Sequence, residues 1–167
     1  MSQYIIIGDL GGTKCAFSFF ELSSTNKISS LGMEPVVLPI RSYASFCELM
    51  EAANEQLPTT RKIEGASGVC IGAAGVWDSN TQNIYLEHYW NGAADIGEML
   101  SRFSVAPEKV LILNDFEAEA HCLLTSIVDK RKIIRQGHGT YPTERFLLIG
   151  PGTGLGVAVI DRDGSLR

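Results

Sequence analysis

Three short runs constrain this chain most: residues 4–7 (YIII), 66–72 (ASGVCIG) and 109–113 (KVLIL). Each is almost continuously apolar, without the polar alternation of a strand that keeps one face in water. Such runs read as strands buried inside a sheet. Between the second and third, and on either side of them, the apolar period lengthens. Tyr43, Phe46, Leu49, Met50, Ala53 and Leu57 follow Ser42 at helical spacing, and Pro58 marks the stop. Asn91 is positioned to cap a helix over 93–102, and Asn114-Asp115 opens a third over 116–128. Residues 15–22 and 35–40 add two strands before the first helix, 84–90 a short extended piece, and 23–30 a Ser-rich surface turn. The order β-β-β-α-β-α-β-α predicts an α/β fold with a mixed sheet flanked by helices.

The chain then crosses a polar stretch at 129–143 and makes a second strand pair over 146–149 and 155–160. A shift of 142 residues places Gly8 on Gly150, Gly12 on Gly154 and Ala16 on Ala158. Both segments are strand, glycine turn, strand, so the second reads as the start of a second lobe built like the first.

Several function classes fall away on composition. The formal net charge of −5 gives no basic field for nucleic acid or anionic lipid, and Lys130-Arg131-Lys132 with Arg135 reads as a solvated patch. No apolar run approaches the roughly 20 residues of a membrane span. The start MSQYIII has no basic region ahead of its apolar run. Cysteines 15, 47, 70 and 122 form no C-x-x-C pair and sit in apolar contexts, which reads as buried reduced thiols in a cytoplasmic protein. His88, His121 and His138 have no metal-ligand spacing.

The glycine turns carry the chemistry. Gly11-Gly12-Thr13 and Gly152-Thr153-Gly154 each lie between two strands, where backbone N–H groups without a neighbouring Cβ suit a phosphate. A tight hairpin explains either turn alone. Two in one chain, one of them carrying Asp9, favour phosphate. Neither is a Walker A loop, and the second fails the dinucleotide pattern at its third glycine and runs on into strand. A carboxylate beside phosphates repels them unless Mg²⁺ stands between, so Asp9 reads as a magnesium-side residue, acting through water; turn formation is the bland alternative. Asp115 sits at the end of a buried strand, where α/β sheets place ligands. There it can cap a helix, or accept a proton from a hydroxyl attacking a γ-phosphoryl group.

Gly8-Asp9-Leu10-Gly11-Gly12-Thr13, Leu113-Asn114-Asp115-Phe116 and Gly152-Thr153-Gly154-Leu155-Gly156 occur in that order. With Trp90 ahead of the second helix, the whole chain resembles the bacterial glucokinases of the sugar kinase–Hsp70–actin superfamily. The resemblance implies ribonuclease-H-like (actin-like ATPase) lobes, a small N-terminal lobe over 1–113 and the truncated start of a large lobe over 114–167. It implies ATP-dependent phosphorylation of glucose or a related hexose at the 6-hydroxyl. Asp115 would be the general base, with Asn114 on the sugar and Asp9 near Mg²⁺. Gly11, Gly12, Thr13, Gly152, Thr153 and Gly154 would hold nucleotide phosphates. It further implies a homodimer at full length. Lys14 stands where these glucokinases more often carry asparagine and is closer to the related repressor and open-reading-frame sugar kinases, which leaves another hexose or an N-acyl sugar as the alternative substrate. No helix-turn-helix precedes the first strand, which points away from the repressors. A nucleotide-binding module without turnover, or a structural ATPase, are the rival readings. The Glu-Gly-Gly-His-type sugar segment of that family follows the second turn and is not reached by Arg167. The expectation is therefore an N-terminal part of a longer kinase, inactive alone, whose residues 144–167 pack on the first lobe, pair with another chain or are mobile.

Overall fold

The computed structural model describes residues 3–25, 27–87, 89–125, 132, 134, 144–151 and 155–166. Gly152, Thr153, Gly154, His88, His138, Lys130, Arg131 and Arg135, the stretch 135–143 and the helix tail 126–128 lie outside them. The chain divides into two compact units, residues 1–115 and 116–167.

The first unit is built on a six-stranded mixed sheet. Strands β1 (Gln3–Leu10) and β2 (Lys14–Leu22) form an antiparallel hairpin. The far edge of β2 is shared by two short strands, β3 (Ile28–Ser30) on its second half and β4 (Val36–Pro39) on its first. The Ser-rich turn expected over 23–30 thus gives its last residues to the sheet. On the other side β5 (Gly68–Ala73) runs parallel to β1, and β9 (Val110–Asn114) parallel to β5. A small antiparallel sheet, β6 (Val76–Asp78), β7 (Asn83–Tyr85) and β8 (Ala93–Asp95), fills the crossover between β5 and β9. Of the extended piece expected at 84–90, only the first two residues are strand.

Both helices of this unit start later than the sequence reading placed them. Helix α1 (Phe46–Gln56) is capped by Ser45, whose hydroxyl accepts from the Glu48 N–H at 3.1 Å, while the Glu48 carboxylate accepts from the Ala44 N–H at 2.9 Å. Ser45 and Glu48 have the S-x-x-E spacing of a capping box, and that outcompetes Ser42, which falls in a single 3-10 turn. Helix α2 (Ile96–Arg102) is capped by Asp95, bonded to the Glu98 N–H at 2.8 Å. Asn91 has left-handed φ (56°) and cannot be that cap.

Periodicity explains the core. Phe46, Leu49, Met50 and Ala53 on α1, and Ile96, Met99 and Leu100 on α2, are buried one helical turn apart. They pack in one cluster with alternate strand residues Tyr4, Ile6, Leu10, Cys15, Phe17, Phe19, Val69, Ile71 and Ala73. The opposite face of the sheet within this unit is half-buried at Ile5, Ile7, Phe20 and Cys70, and exposed at Val37 and Leu111. The apolar runs read as buried on both faces are therefore fully buried on one.

The second unit joins α3 (Asp115–Cys122), from Phe116 onward, to a hairpin of β10 (Arg145–Pro151) and β11 (Leu155–Asp161). Phe116, Ala120 and Leu123, spaced i, i+4, i+7, pack against Phe146, Leu148, Ala158 and Ile160. One face of the hairpin, expected to pack on the first lobe, pair with another chain or be mobile, packs inside its own unit against α3. The 142-residue repeat holds as a pair of antiparallel strands but not in register. Gly8 pairs with Phe17 whereas Gly150 pairs with Gly156, and Ala16 pairs with Asp9 whereas Ala158 pairs with Leu148. Among the described residues no helix is long and apolar enough to cross a membrane. Cys15 and Cys47 are buried and Cys70 half-buried, but Cys122 is exposed, contrary to the reading of four buried thiols.

Candidate active site

Strands β1, β5 and β9 run parallel, so their C-terminal ends lie along one edge of the sheet, where open α/β sheets bind ligands. Leu10, Ala73 and Asn114 stand abreast at that edge; one residue back, so do Asp9, Gly72 and Leu113. Asp9 is exposed and lies on β1 itself, not in the turn after it. Asp115 follows Asn114 directly as the first residue of α3. With β5 between them, β1 and β9 are about 10 Å apart at the usual strand spacing. Six of the predicted residues, Asp9, Gly11, Gly12, Thr13, Asn114 and Asp115, thus belong to the ends of two strands one strand apart. The other three, Gly152, Thr153 and Gly154, lie outside the described residues.

The turn after β1 has a definite construction. The Gly11 N–H donates to the Lys14 carbonyl at 3.2 Å, which closes the turn. The Thr13 carbonyl accepts from the Ile40 N–H at 3.2 Å, which backs the turn against the segment after β4. Gly11 therefore spends its N–H inside the chain, and a Cβ there would press on the Lys14 carbonyl at 3.3 Å. Gly12 differs. Its φ is not in the left-handed region, and a Cβ built on it would meet nothing within 4 Å. Neither its own conformation nor its neighbours in this chain call for glycine at 12. Gly12 and Thr13 are both exposed, and their N–H groups have no partner among the described residues. The Asp9 charge is felt next door. The Cys15 thiol is pushed well up, first by burial and then by the Asp9 carboxylate.

Asn114 is engaged with the backbone. Its side-chain Nδ2 donates to the Gly75 carbonyl at 3.1 Å and, more weakly, to the Ala73 carbonyl at 3.4 Å. This brings in a segment that the sequence reading passed over, Ala73-Ala74-Gly75, at the C-terminal end of β5. Two signals mark it in the sequence: its place at the end of a buried strand and the glycine that ends it. Glycine is required at 75 because a Cβ would overlap the Tyr85 carbonyl and press on Leu86 and Ile84 of the small sheet. Trp90, singled out by its place before α2, is a packing residue in the described structure. Its indole N–H donates to the Tyr43 carbonyl at 3.0 Å, and its ring tilts against Phe46 and Tyr89.

Comparison with known proteins fits this geometry. The glucokinase from Sinorhizobium medicae (strain WSM419) is 29% identical over 154 residues, covering 92% of this chain and 41% of the relative. Among solved structures, the glucokinase from an Antarctic psychrotroph superimposes with a TM-score of 0.71 at 19% identity, over 100% of this chain and 49% of that one. A ROK family glucokinase from Streptomyces griseus, solved in complex with glucose and AMPPNP, superimposes with a TM-score of 0.59 at 20% identity, over 98% and 46%. These likenesses give the fold, that of the actin-like ATPases. The chain spans about two fifths of the length of the curated relatives it matches, 41% of the first of them. The Glucokinase family model matches residues 6–166, almost the whole chain, and the chain belongs to the glucokinase family.

Proposed function

We propose that the protein to which this chain belongs phosphorylates the 6-hydroxyl of glucose, or of a closely related hexose, with ATP as donor. The observation that carries this reading is Gly12. It is a glycine on an open turn, at the ligand-binding edge of a parallel sheet, that nothing in the described chain requires. A glycine where its own fold has room for a side chain leaves the backbone open to a ligand that comes close. The N–H groups of Gly12 and Thr13 suit phosphate oxygens, and Gly11 closes the turn that presents them. The family membership and the relative solved with glucose and AMPPNP support the same reading.

In that reaction the 6-hydroxyl oxygen attacks the γ-phosphorus, the bond from γ-phosphorus to the β–γ bridging oxygen breaks, and ADP leaves. The hydroxyl proton passes to the Asp115 carboxylate as general base. The family resemblance gives Asn114 to the sugar, and gives Gly152, Thr153 and Gly154 to the nucleotide phosphates. Among the described residues no cluster of three or more metal-ligating side chains occurs. Mg²⁺ does not need one, since it is commonly held by one or two carboxylates, waters and the substrate's own phosphates. Asp9, exposed beside the turn, fits that pattern as the residue that would hold it through water. When bound, the ion neutralises charge on the phosphates. The chain's own share is positioning, together with the exposed N–H groups and the base.

A coupled assay for ATP-dependent glucose phosphorylation tests the reading, run on this chain and on the full product of its gene, each with Asp115→Asn. The expected outcome is turnover in the full product that falls by about 10²–10⁴-fold on substitution, the usual worth of a general base. Nucleotide binding without turnover on any of a panel of hexoses and N-acyl hexosamines would reduce the site to a binding module. Lys14, exposed at the start of β2, is the reason for the panel.

A further inference from the structure

The loop between β7 and β8 reaches the same edge of the sheet as Asp115, although no strand of the main sheet carries it. Asn114, next to Asp115, donates from Nδ2 to the Gly75 carbonyl at 3.1 Å. Gly75 lies so close to the Tyr85 carbonyl and the Leu86 side chain, where β7 ends, that there is no room for a methyl group. The Leu86 N–H in turn donates to the Gly92 carbonyl at 2.9 Å, which ties the two ends of the loop together. These contacts lead without a break from the candidate base to the loop. Its backbone is unusual. Trp90, Asn91 and Gly92 follow one another with φ of 47°, 56° and 90°, all left-handed. Glycine takes that conformation freely and asparagine tolerates it, but for a side chain as bulky as tryptophan it is an outlier. Trp90 is held there by its surroundings. Its indole N–H donates to the Tyr43 carbonyl at 3.0 Å, and its ring packs on Phe46 and Tyr89. What this strained turn presents to solvent is Asn91, exposed, with an amide that makes no hydrogen bond to the described residues.

We propose that Asn91 contacts the sugar, its amide pairing with a ring hydroxyl of the hexose whose 6-hydroxyl faces Asp115. The inference rests on the kinase reading above and deepens it, by adding a residue that fixes how the sugar lies at the sheet edge. Backbone in a sparsely populated conformation persists only where the surrounding structure over-determines it, and such positions cluster at ligand clamps. The chemistry of the group fits the ligand. An amide carries an acceptor oxygen and two N–H donors, so one side chain can serve a hydroxyl as donor or as acceptor. The competing explanation is conformational, since asparagine is one of the few residues that accept this φ. The two explanations differ in what glycine would do at the same position.

The test is therefore Asn91→Gly in the full gene product, which keeps the left-handed turn and removes only the amide. The proposal expects the sugar KM to rise about 5–10-fold, the worth of one hydrogen bond. It expects kcat and the ATP KM to change less than about twofold, the pattern of a contact made equally in ground and transition states. An unchanged sugar KM assigns Asn91 to the turn alone and overturns the proposal. The contacted hydroxyl is identified with 2-, 3- and 4-deoxyglucose. The unsubstituted enzyme should lose about 5–10-fold on the analogue that lacks it, and Asn91→Gly should no longer distinguish that analogue from glucose. Equal discrimination by both proteins at all three positions overturns the proposal. Glucose binding without turnover, followed by tryptophan fluorescence, separates this inference from the kinase reading. If the gene product binds glucose but phosphorylates no hexose, the kinase reading fails, and a Kd raised in Asn91→Gly by about the same factor still supports the contact. An unchanged Kd overturns it, and no glucose binding at all overturns both.

Discussion

Gly12 and Gly156 both lie in strand–glycine–strand segments, and they are glycines for opposite reasons. At Gly156 an added Cβ would run into the ring of Phe116, as it would at Gly150 on the paired strand, so α3 packs against a hairpin that has been hollowed out for an aromatic ring. At Gly12 an added Cβ would touch nothing. One pair of glycines is explained inside the chain, by packing; nothing in the described chain explains the other. Glycine content therefore does not identify a phosphate turn. The distinguishing observation is whether the fold itself uses the missing side chain.

The comparison can be broken by substitution. The largest expected effect is on function. Gly12→Ala in the full gene product should cost about 10–100-fold in kcat/KM, because a methyl group at the turn displaces a phosphate by about an ångström. Steady-state kinetics checks this, and unchanged kcat/KM would remove the main support for a phosphate at this turn. Next comes Gly156→Ala, which should destabilise the second unit by about 1–3 kcal/mol through overpacking against Phe116. Hydrogen exchange along β10 and β11 measures it, and no change there would mean that the ring moves aside at no cost.

A smaller effect sharpens the cause. If Phe116 is what Gly156 makes room for, Phe116→Ala and Gly156→Ala should be non-additive by about 0.5–2 kcal/mol, the double variant being more stable than the sum of the singles predicts. Simple additivity would assign the loss to something other than this contact. The smallest effect belongs to Gly12 again. Gly12→Ala should leave stability unchanged or raise it by up to about 1 kcal/mol, since the turn accepts a Cβ and the unfolded chain loses freedom. Alkylation of Cys15, opposite Leu10 at the end of the hairpin, reports this. Its thiol is buried and pushed up first by that burial and then by Asp9, so at neutral pH thiolate is scarce and labelling requires the unit to open. Faster Cys15 labelling in Gly12→Ala would show that the fold does use this glycine.

Much of the first unit was legible because its signals are local. The strands at 4–7, 15–22, 66–72 and 109–113 announce themselves by continuous apolar runs, and α1 by apolar residues at i, i+3, i+4 and i+7. Asp115 could be proposed because strand ends in α/β sheets are where ligands go, and Asp9 and Gly12 because a glycine turn between strands suits a phosphate and its metal. The helix starts were misjudged where two capping residues competed, Ser42 with Ser45 and Asn91 with Asp95. The hydrogen bonds to Glu48 and Glu98 show which member of each pair won. The small sheet of β6, β7 and β8 went mostly unread because strands of three residues carry too few side chains to show a period.

The sequence alone determined the alternation of strand and helix and the mixed α/β class, and it marked Asp9, Gly12 and Asp115 as candidates, because each depends on periods and end signals within a few residues. Tertiary structure alone decided what each special residue is for. It assigned Gly11 to closing a turn, Gly75, Gly150 and Gly156 to close packing, and the Asn114 amide to the carbonyls of Ala73 and Gly75. Those roles depend on partners 3 to 41 positions away along the chain, brought within a few ångströms only when strands pair and the helix settles on the hairpin.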